Sequence, residues 1–147
     1  MRARRAAIVG FGALGQACAR GVLGEEGLEL AGIVRRPETV AAPRPPPFDA
    51  CPAVTHVREL GWVDGALLCV PTRVAHAAAR ELLDHGTPVV ECAELHGEEF
   101  LRHRRELDRV AITRRSKAIV GAGWDPGVLS LLRGLFGVLT PHGHTET

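Results

Sequence analysis

Apolar residues in this chain arrive in short continuous runs, and the stretches between them are spaced like helices. Residues 6–10, "AAIVG", form an apolar run ending in glycine, the mark of a buried strand. "ALGQACARGVLG" (13–24) follows with helix formers and closes on Gly24 as a stop. "LELAGIV" (28–34) reads as a second strand, "VDGALLCV" (63–70) as a third, and "TPVVECA" (87–93) and "KAIVGAG" (117–123) as two more. Helices are predicted over "RVAHAAARELLDHG" (73–86), the charged amphipathic "GEEFLRHRRELDRVA" (97–111) and the apolar "PGVLSLLRGLFGVL" (126–139). The segment "RRPETVAAPRPPPFDACP" (35–52) holds six prolines and no helical period, so it reads as a loop or extended connector. The tail "TPHGHTET" (140–147) has no pattern and is expected to fray.

Continuously apolar strands alternating with helices call for a parallel sheet covered on both faces, a doubly wound α/β fold. Composition agrees with one ordinary soluble domain of 147 residues, 46% hydrophobic and 24% charged. A formal net charge of +1 gives no reason to expect nucleic acid or a membrane surface as partner. Of 18 basic residues, Lys117 is the single lysine and 17 are arginine, which reads as coding bias and not as function. Cys18, Cys51, Cys69 and Cys92 show no metal-ligand spacing, and no apolar run reaches the length of a membrane span. A reduced, cytoplasmic protein without a bound metal is expected.

"GFGALG" sets Gly10, Gly12 and Gly15 in the order G-x-G-x-x-G, directly after a predicted strand and opening a predicted helix. Gly10 permits the tight turn, Gly12 lets a pyrophosphate approach the backbone beside Ala13 and Leu14, and Gly15 lets the helix lie close on the strand. The bland alternative is a glycine-rich turn without a ligand. An NAD site usually ends its second strand with an acid that bonds the ribose hydroxyls. Here "GIVRRPE" places Arg35 and Arg36 at that point, which suits a 2′-phosphate and therefore NADP, although a solvated arginine pair would look the same.

Ligands of such sheets gather at the carboxyl ends of the strands. Cys69, Val70, Pro71 and Thr72 would border the cofactor's ribose and nicotinamide. Glu91, Glu94 and Asp125 would gather at the reacting end, with Trp124 beside them. Several carboxylates suit a substrate that bears an ammonium group, which they can hold, orient and help deprotonate. Each has another reading: Asp125 before Pro126 fits a helix N-cap with proline at N1, Glu94 a solvated loop residue, Trp124 core, and His96 an ordinary loop histidine.

Taken together, "RAAIVGFGALG", "GIVRRPE", "LLCVPT", "ECAELHGEEFLRHRRELD" and "GAGWDPGVLS" resemble the N-terminal part of the meso-diaminopimelate dehydrogenase family, over nearly the whole chain. The "GWDPG" element, about a hundred residues after the glycine loop, is its specific part. The resemblance implies a Rossmann-type NADP-binding domain at 1–122, with 123–147 starting a link to a substrate and dimerisation domain that this chain lacks. It implies oxidative deamination of the D-centre of meso-2,6-diaminopimelate to L-2-amino-6-oxopimelate, ammonia and NADPH, a step of lysine and diaminopimelate metabolism. Gly10, Gly12 and Gly15 would bind pyrophosphate and Arg35 and Arg36 the 2′-phosphate. Asp125 and Glu94 would hold the amine, and Trp124 would shape the pocket together with Glu91, Pro126 and Gly127. The family usually has aspartate where this chain has Glu91 and Glu94, so related diamino or D-amino acids stay open as substrates. Because family members are more than twice as long, a separately encoded second half, or self-association, is expected. The alternatives are a stand-alone dinucleotide-sensing regulatory module and an inactive fragment.

Overall fold

A computed structural model describes residues 2–140. The tail expected to fray lies, from residue 141 onward, outside the described residues. The expected alternation is there: β1 Arg4–Val9, α1 Ala13–Gly24, β2 Leu28–Val34, β3 Ala53–Val54, β4 Gly65–Leu68, α2 Thr72–Asp84, β5 Val89–Glu91, α3 Gly97–Arg114, β6 Ala118–Ile119 and α4 Leu129–Leu139. All strands pair in parallel in one six-stranded sheet of order β3-β2-β1-β4-β5-β6.

That order explains why both faces are covered. From β1 the chain moves outward in one direction to β2, and from β4 it moves in the other to β5 and β6. With crossovers of one hand, the two directions put their helices on opposite faces. α1 accordingly packs Ala19 and Val22 with Ile8, Leu30 and Ile33. On the other face α2 and α3 pack Ala75, Ala79, Leu83, Leu107 and Ala111 with Ala7, Ala66, Leu68 and Val89. Adjacent residues Ala7 and Ile8 serve opposite cores, as strand alternation requires.

Several elements depart from expectation. The strand expected over 63–70 is only Gly65–Leu68, because Asp64 turns its carboxylate back to the Arg5 N–H at 2.9 Å. Beyond the proline-rich segment a short edge strand, β3, and a 3₁₀ turn, Val57–Leu60, were not anticipated; both are too short for any period to register. The proline-rich segment itself is a packed loop. Its Phe48 is fully buried beside α1 and meets Phe11 edge to face, with centroids 5.3 Å apart. Arg44 fastens the loop by donating to the carbonyls of Phe48, Asp49 and Cys51 at 2.9–3.2 Å. Phe48 thus does what the apolar face of a helix would do between β2 and β3.

α1 lies on β1 at the closest approach a backbone allows. A Cβ on Gly15 would stand 2.0 Å from the Gly10 carbonyl oxygen, and one on Gly10, whose φ is +92°, would stand 2.4 Å from that of Cys69. A Cβ on Gly12 would meet nothing within 4 Å.

Phe48→Ala should cost roughly 3–5 kcal/mol in denaturant unfolding, as for a large aromatic removed from a core; a loss typical of a surface loop would contradict the packing described. Gly15→Ala should lose about 1–3 kcal/mol or more from overpacking. Gly12→Ala should stay within about 1 kcal/mol of the parent, the change expected at a cap position.

Candidate functional site

β1 and β4 are neighbours whose chains leave in opposite directions, and a crevice must open above them. A cleft of about 960 Å³ lies there, walled by residues 9–14 after β1, 34–37 after β2 and 69–71 after β4. Gly12 is the N-cap of α1 and offers no side-chain cap, so the first-turn N–H groups of the helix are left for a ligand. Gly12, Ala13 and Leu14 all line the cleft, which gives it an anion-binding end. Gly15 is buried behind this turn and contributes by letting α1 approach, not by lining the cleft.

The two arginines after β2 divide their tasks. The Arg35 guanidinium lies 5.8 Å from the Phe11 ring centroid and donates to the Ala42 carbonyl at 2.9 Å, which binds it to its own loop. Arg36 is exposed on the cleft rim, and its carbonyl accepts both the Thr39 N–H at 2.9 Å and the Thr39 hydroxyl at 3.2 Å. Arg36 and Thr39 therefore both line the cleft at the end of β2. Among the described residues, Glu81 on α2 is the sole acid in the cleft wall.

The cleft wall also holds residues that the sequence did not single out: Phe11 in the glycine turn, and Arg73, Val74, Thr55, His56, Glu81 and His85. His56, Glu81 and His85 bring their ligand atoms within 4.8 Å of one another, a grouping of metal-ligand type. Their hydrogen bonds use those atoms differently. His56 Nδ1 accepts the Arg58 N–H at 3.1 Å, so Nε2 carries the hydrogen that faces Glu81 Oε1 at 3.0 Å. The Arg58 guanidinium packs against the His85 ring. Burial, the Arg58 charge and His56 hold His85 below the ordinary histidine value. Only the i, i+4 spacing of Glu81 and His85 could have signalled this cluster; His56 comes from a distant turn.

Cys69 and Val70 line the cleft floor with Pro71. Burial, reinforced by neighbouring Cys18, pushes the Cys69 thiol well above its usual range, and burial does the same at Cys92. Both are neutral thiols, unsuited to nucleophilic work. Thr72 faces away from the cleft and accepts the Glu94 N–H on its hydroxyl at 3.2 Å, coupling the ends of β4 and β5.

The residues expected to hold an amine separate into two groups. Glu91 does not face a ligand: it is 1% exposed, and its carboxylate accepts the backbone N–H of Ala93 at 2.6 Å and of Gly121 at 3.1 Å. A carboxylate that ends a buried strand and meets three donors is consumed internally, and sequence spacing could not show which way it turned. Glu94, by contrast, is exposed just past β5, and Trp124 is 63% exposed past β6 rather than core. Asp125 has the extended backbone of an N-cap, φ −129° and ψ 123°, within an otherwise π-helical turn, Trp124–Val128. Its carboxylate is turned to Arg133 at 3.5 Å. A Cβ on Gly127 would stand 2.9 Å from the Gly121 oxygen, so this glycine lets the turn sit on the β6 loop. The Pro126 side chain lies outside the described residues. Exposed His96 caps α3 without a side-chain bond. Glu94, Trp124 and Asp125 thus stand at the strand ends beside the cleft, and none of them lines it.

No family model matches the sequence. Among curated proteins, the meso-diaminopimelate D-dehydrogenase of Bacteroides fragilis is 35% identical over all 147 residues, which cover 48% of that protein. That of Corynebacterium glutamicum is 28% identical over 88% of this chain and 39% of its own length. In structure, the C. glutamicum diaminopimelate dehydrogenase in complex with diaminopimelate superposes with a TM-score of 0.77 at 26% identity, over 95% of this chain and 42% of that one. An engineered D-amino acid dehydrogenase bound to NADP+ gives 0.75 at 25% identity, over 93% and 41%. This chain spans about half the length of the curated relatives it matches. Across the part of those proteins that it spans, the chain belongs to the meso-diaminopimelate D-dehydrogenase family.

Proposed function

We propose that this chain is the NADP-binding part of a cytoplasmic dehydrogenase that oxidatively deaminates the D-centre of meso-2,6-diaminopimelate. The observation that carries the reading is the cleft's cationic rim: exposed Arg36 with Thr39 at the end of β2, where an NAD site would carry an acid. The donor set fits that cofactor. First-turn N–H groups of α1 would hold the pyrophosphate past Gly10, Gly12, Ala13 and Leu14. Arg36 would pair with the 2′-phosphate, while Arg35, held by Phe11 and Ala42, shapes the loop that presents it. Cys69, Val70 and Pro71 would border the nicotinamide end. When bound, NADP supplies the hydride acceptor of the reaction.

The remaining chemistry falls to Glu94, Trp124 and Asp125, with Pro126 and Gly127 forming the turn that carries them. Two carboxylates at adjacent strand ends hold a substrate ammonium and take up its protons as the C–N bond is oxidised. The Asp125–Arg133 pair is half exposed and long at 3.5 Å, so a substrate cation can displace it at little cost. Residues 1–122 form the nucleotide-binding unit in this reading, and 123–147 begin the link to the substrate-binding part. α4 supports that division: it has no buried residue, while Leu131 and Val138 are 76% and 79% exposed and Leu135, Phe136 and Leu139 are exposed beside them. Such an apolar helix calls for a protein cover, here the substrate-binding part of the enzyme or a second copy of the chain. A nucleotide-sensing module without chemistry is the other reading, and it makes Asp125 only a helix-start residue.

NADPH should bind this chain at least about tenfold more tightly than NADH, the preference expected of one charge-assisted contact to the 2′-phosphate. Arg36→Glu should abolish the difference in fluorescence titration; equal binding by the parent would count against the arginine assignment. Gly12→Ala should weaken NADPH binding although the fold is kept, because its methyl enters the cleft. In sedimentation the 147-residue chain should be larger than a monomer, and Leu131→Glu with Val138→Glu should restore one. A monodisperse parent monomer would argue against the covered-helix reading.

A further inference from the structure

A file of titratable groups runs from the surface to the ends of β5 and β6. Glu106 Oε2 lies 3.1 Å from His76 Nε2, His76 Nδ1 lies 3.0 Å from His103 Nδ1, and His103 Nε2 lies 3.2 Å from Glu91 Oε1. His103 and Glu91 side chains are 4% and 1% exposed, so neither exchanges its partner for water. Glu91 accepts the backbone N–H groups of Ala93 and Gly121, and His103 Nε2 completes its contacts.

His103 is bonded through both ring nitrogens, Nε2 to the Glu91 carboxyl and Nδ1 to His76 Nδ1, and these two contacts fix how the ring stands. The same Glu91 carboxylate holds the N–H of Ala93, just before Glu94, and of Gly121, three residues before Trp124.

We propose that His103 is a positioning residue: oriented by His76, it donates its Nε2–H to Glu91 and through Glu91 sets the backbone of loops 92–95 and 120–125. This rests on the proposed function only for what those loops carry. The groups around the pair are few. Past β5 stands Cys92, a thiol that burial pushes up and whose Sγ donates to the Leu68 carbonyl at 3.9 Å. On α3, Glu99 and Arg102 flank His103 in addition to Glu106, and on α2, Arg73 and Arg80 flank His76 by helical spacing, Arg80 being paired with Asp84 at 3.8 Å. From the β6 loop only the Gly121 backbone reaches Glu91.

Imidazole nitrogen spectra of the 15N-labelled full chain should show His103 Nε2 carrying hydrogen; a bare Nε2 would overturn the proposal. Amide hydrogen exchange tests the positioning. His103→Gln keeps a donor for Glu91 and should leave Ala93 and Gly121 protected to within about threefold of the parent. His103→Leu removes it and should speed both by about tenfold or more, with Ala7 in the middle of β1 unchanged in each variant. The opposite ranking, leucine protecting and glutamine not, would make His103 a space-filling residue and end the proposal. If either variant fails to fold, His76→Ala at the half-exposed end removes the partner that orients His103: Gly121 exchanging faster supports the proposal, and an unchanged Gly121 opposes it. None of these signals requires turnover or cofactor, so a failure of the dehydrogenase reading would show separately, as missing NADPH binding.

Discussion

The contact between the Gly10 carbonyl and Gly15 is the constraint on which the rest of the site depends. It brings α1 down onto β1 so closely that no side chain fits between them. Because the helix cannot back away, its uncapped first turn is held at the carboxyl end of the central strand, facing the crevice between β1 and β4. An anion site made of backbone N–H groups needs that rigidity: its donors carry no side chain that could adjust. The parallel order of the sheet then brings the ends of β2 and β4 to the same rim, where Arg36 and Cys69 stand.

This arrangement separates the tasks of binding and holding. The cleft wall is formed by the first strand ends, around a fixed helix start. The carboxylates expected to act on an amine stand at β5 and β6, outside that wall, on short strands and a turn that is π-helical and interrupted at Asp125. Strands of two or three residues supply little ladder to hold such loops. Side-chain bonds take over: Thr72 grips the Glu94 N–H, and Glu91 grips Ala93 and Gly121 from within. A buried polar group is costly unless it is fully bonded, so this side chain is a demanding clamp that works only while its donors stay in place.

Much of the fold was legible because its signals are local. A buried strand of "AAIVG" type, the helix after it and the glycine spacing all depend on neighbours within a few residues. The helix bounds 13–24 and the strand 28–34 emerge as expected for that reason. What stayed hidden depends on distant partners. Phe48 lies in a proline-rich stretch that looks solvated, yet it fills a core whose other members belong to β1, β2 and α1. β3 exists only because β2 has a free edge to pair with. At the site, the residue types and the strand ends were readable, while side-chain direction was not. Glu91 and Glu94 look equivalent in "VVECAELH", and the sheet buries one and exposes the other.

That difference bears on how the two glutamates act. An extra methylene relative to aspartate reads as a perturbation of substrate geometry if both carboxylates touch the ligand. With Glu91 inside, the longer side chain has another use: it reaches from the strand end to three donors on separate elements, α3, the β6 loop and its own loop. Of the two, only Glu94 then stands where, in the proposed function, its length would change the distance to an amine. The substrate question of that proposal narrows to one side chain, whose backbone N–H is already fixed by Thr72. With that anchor in place, any change in reach at Glu94 is carried by its own rotamers, and an amine held there would lie correspondingly farther from the β5 end than before an aspartate.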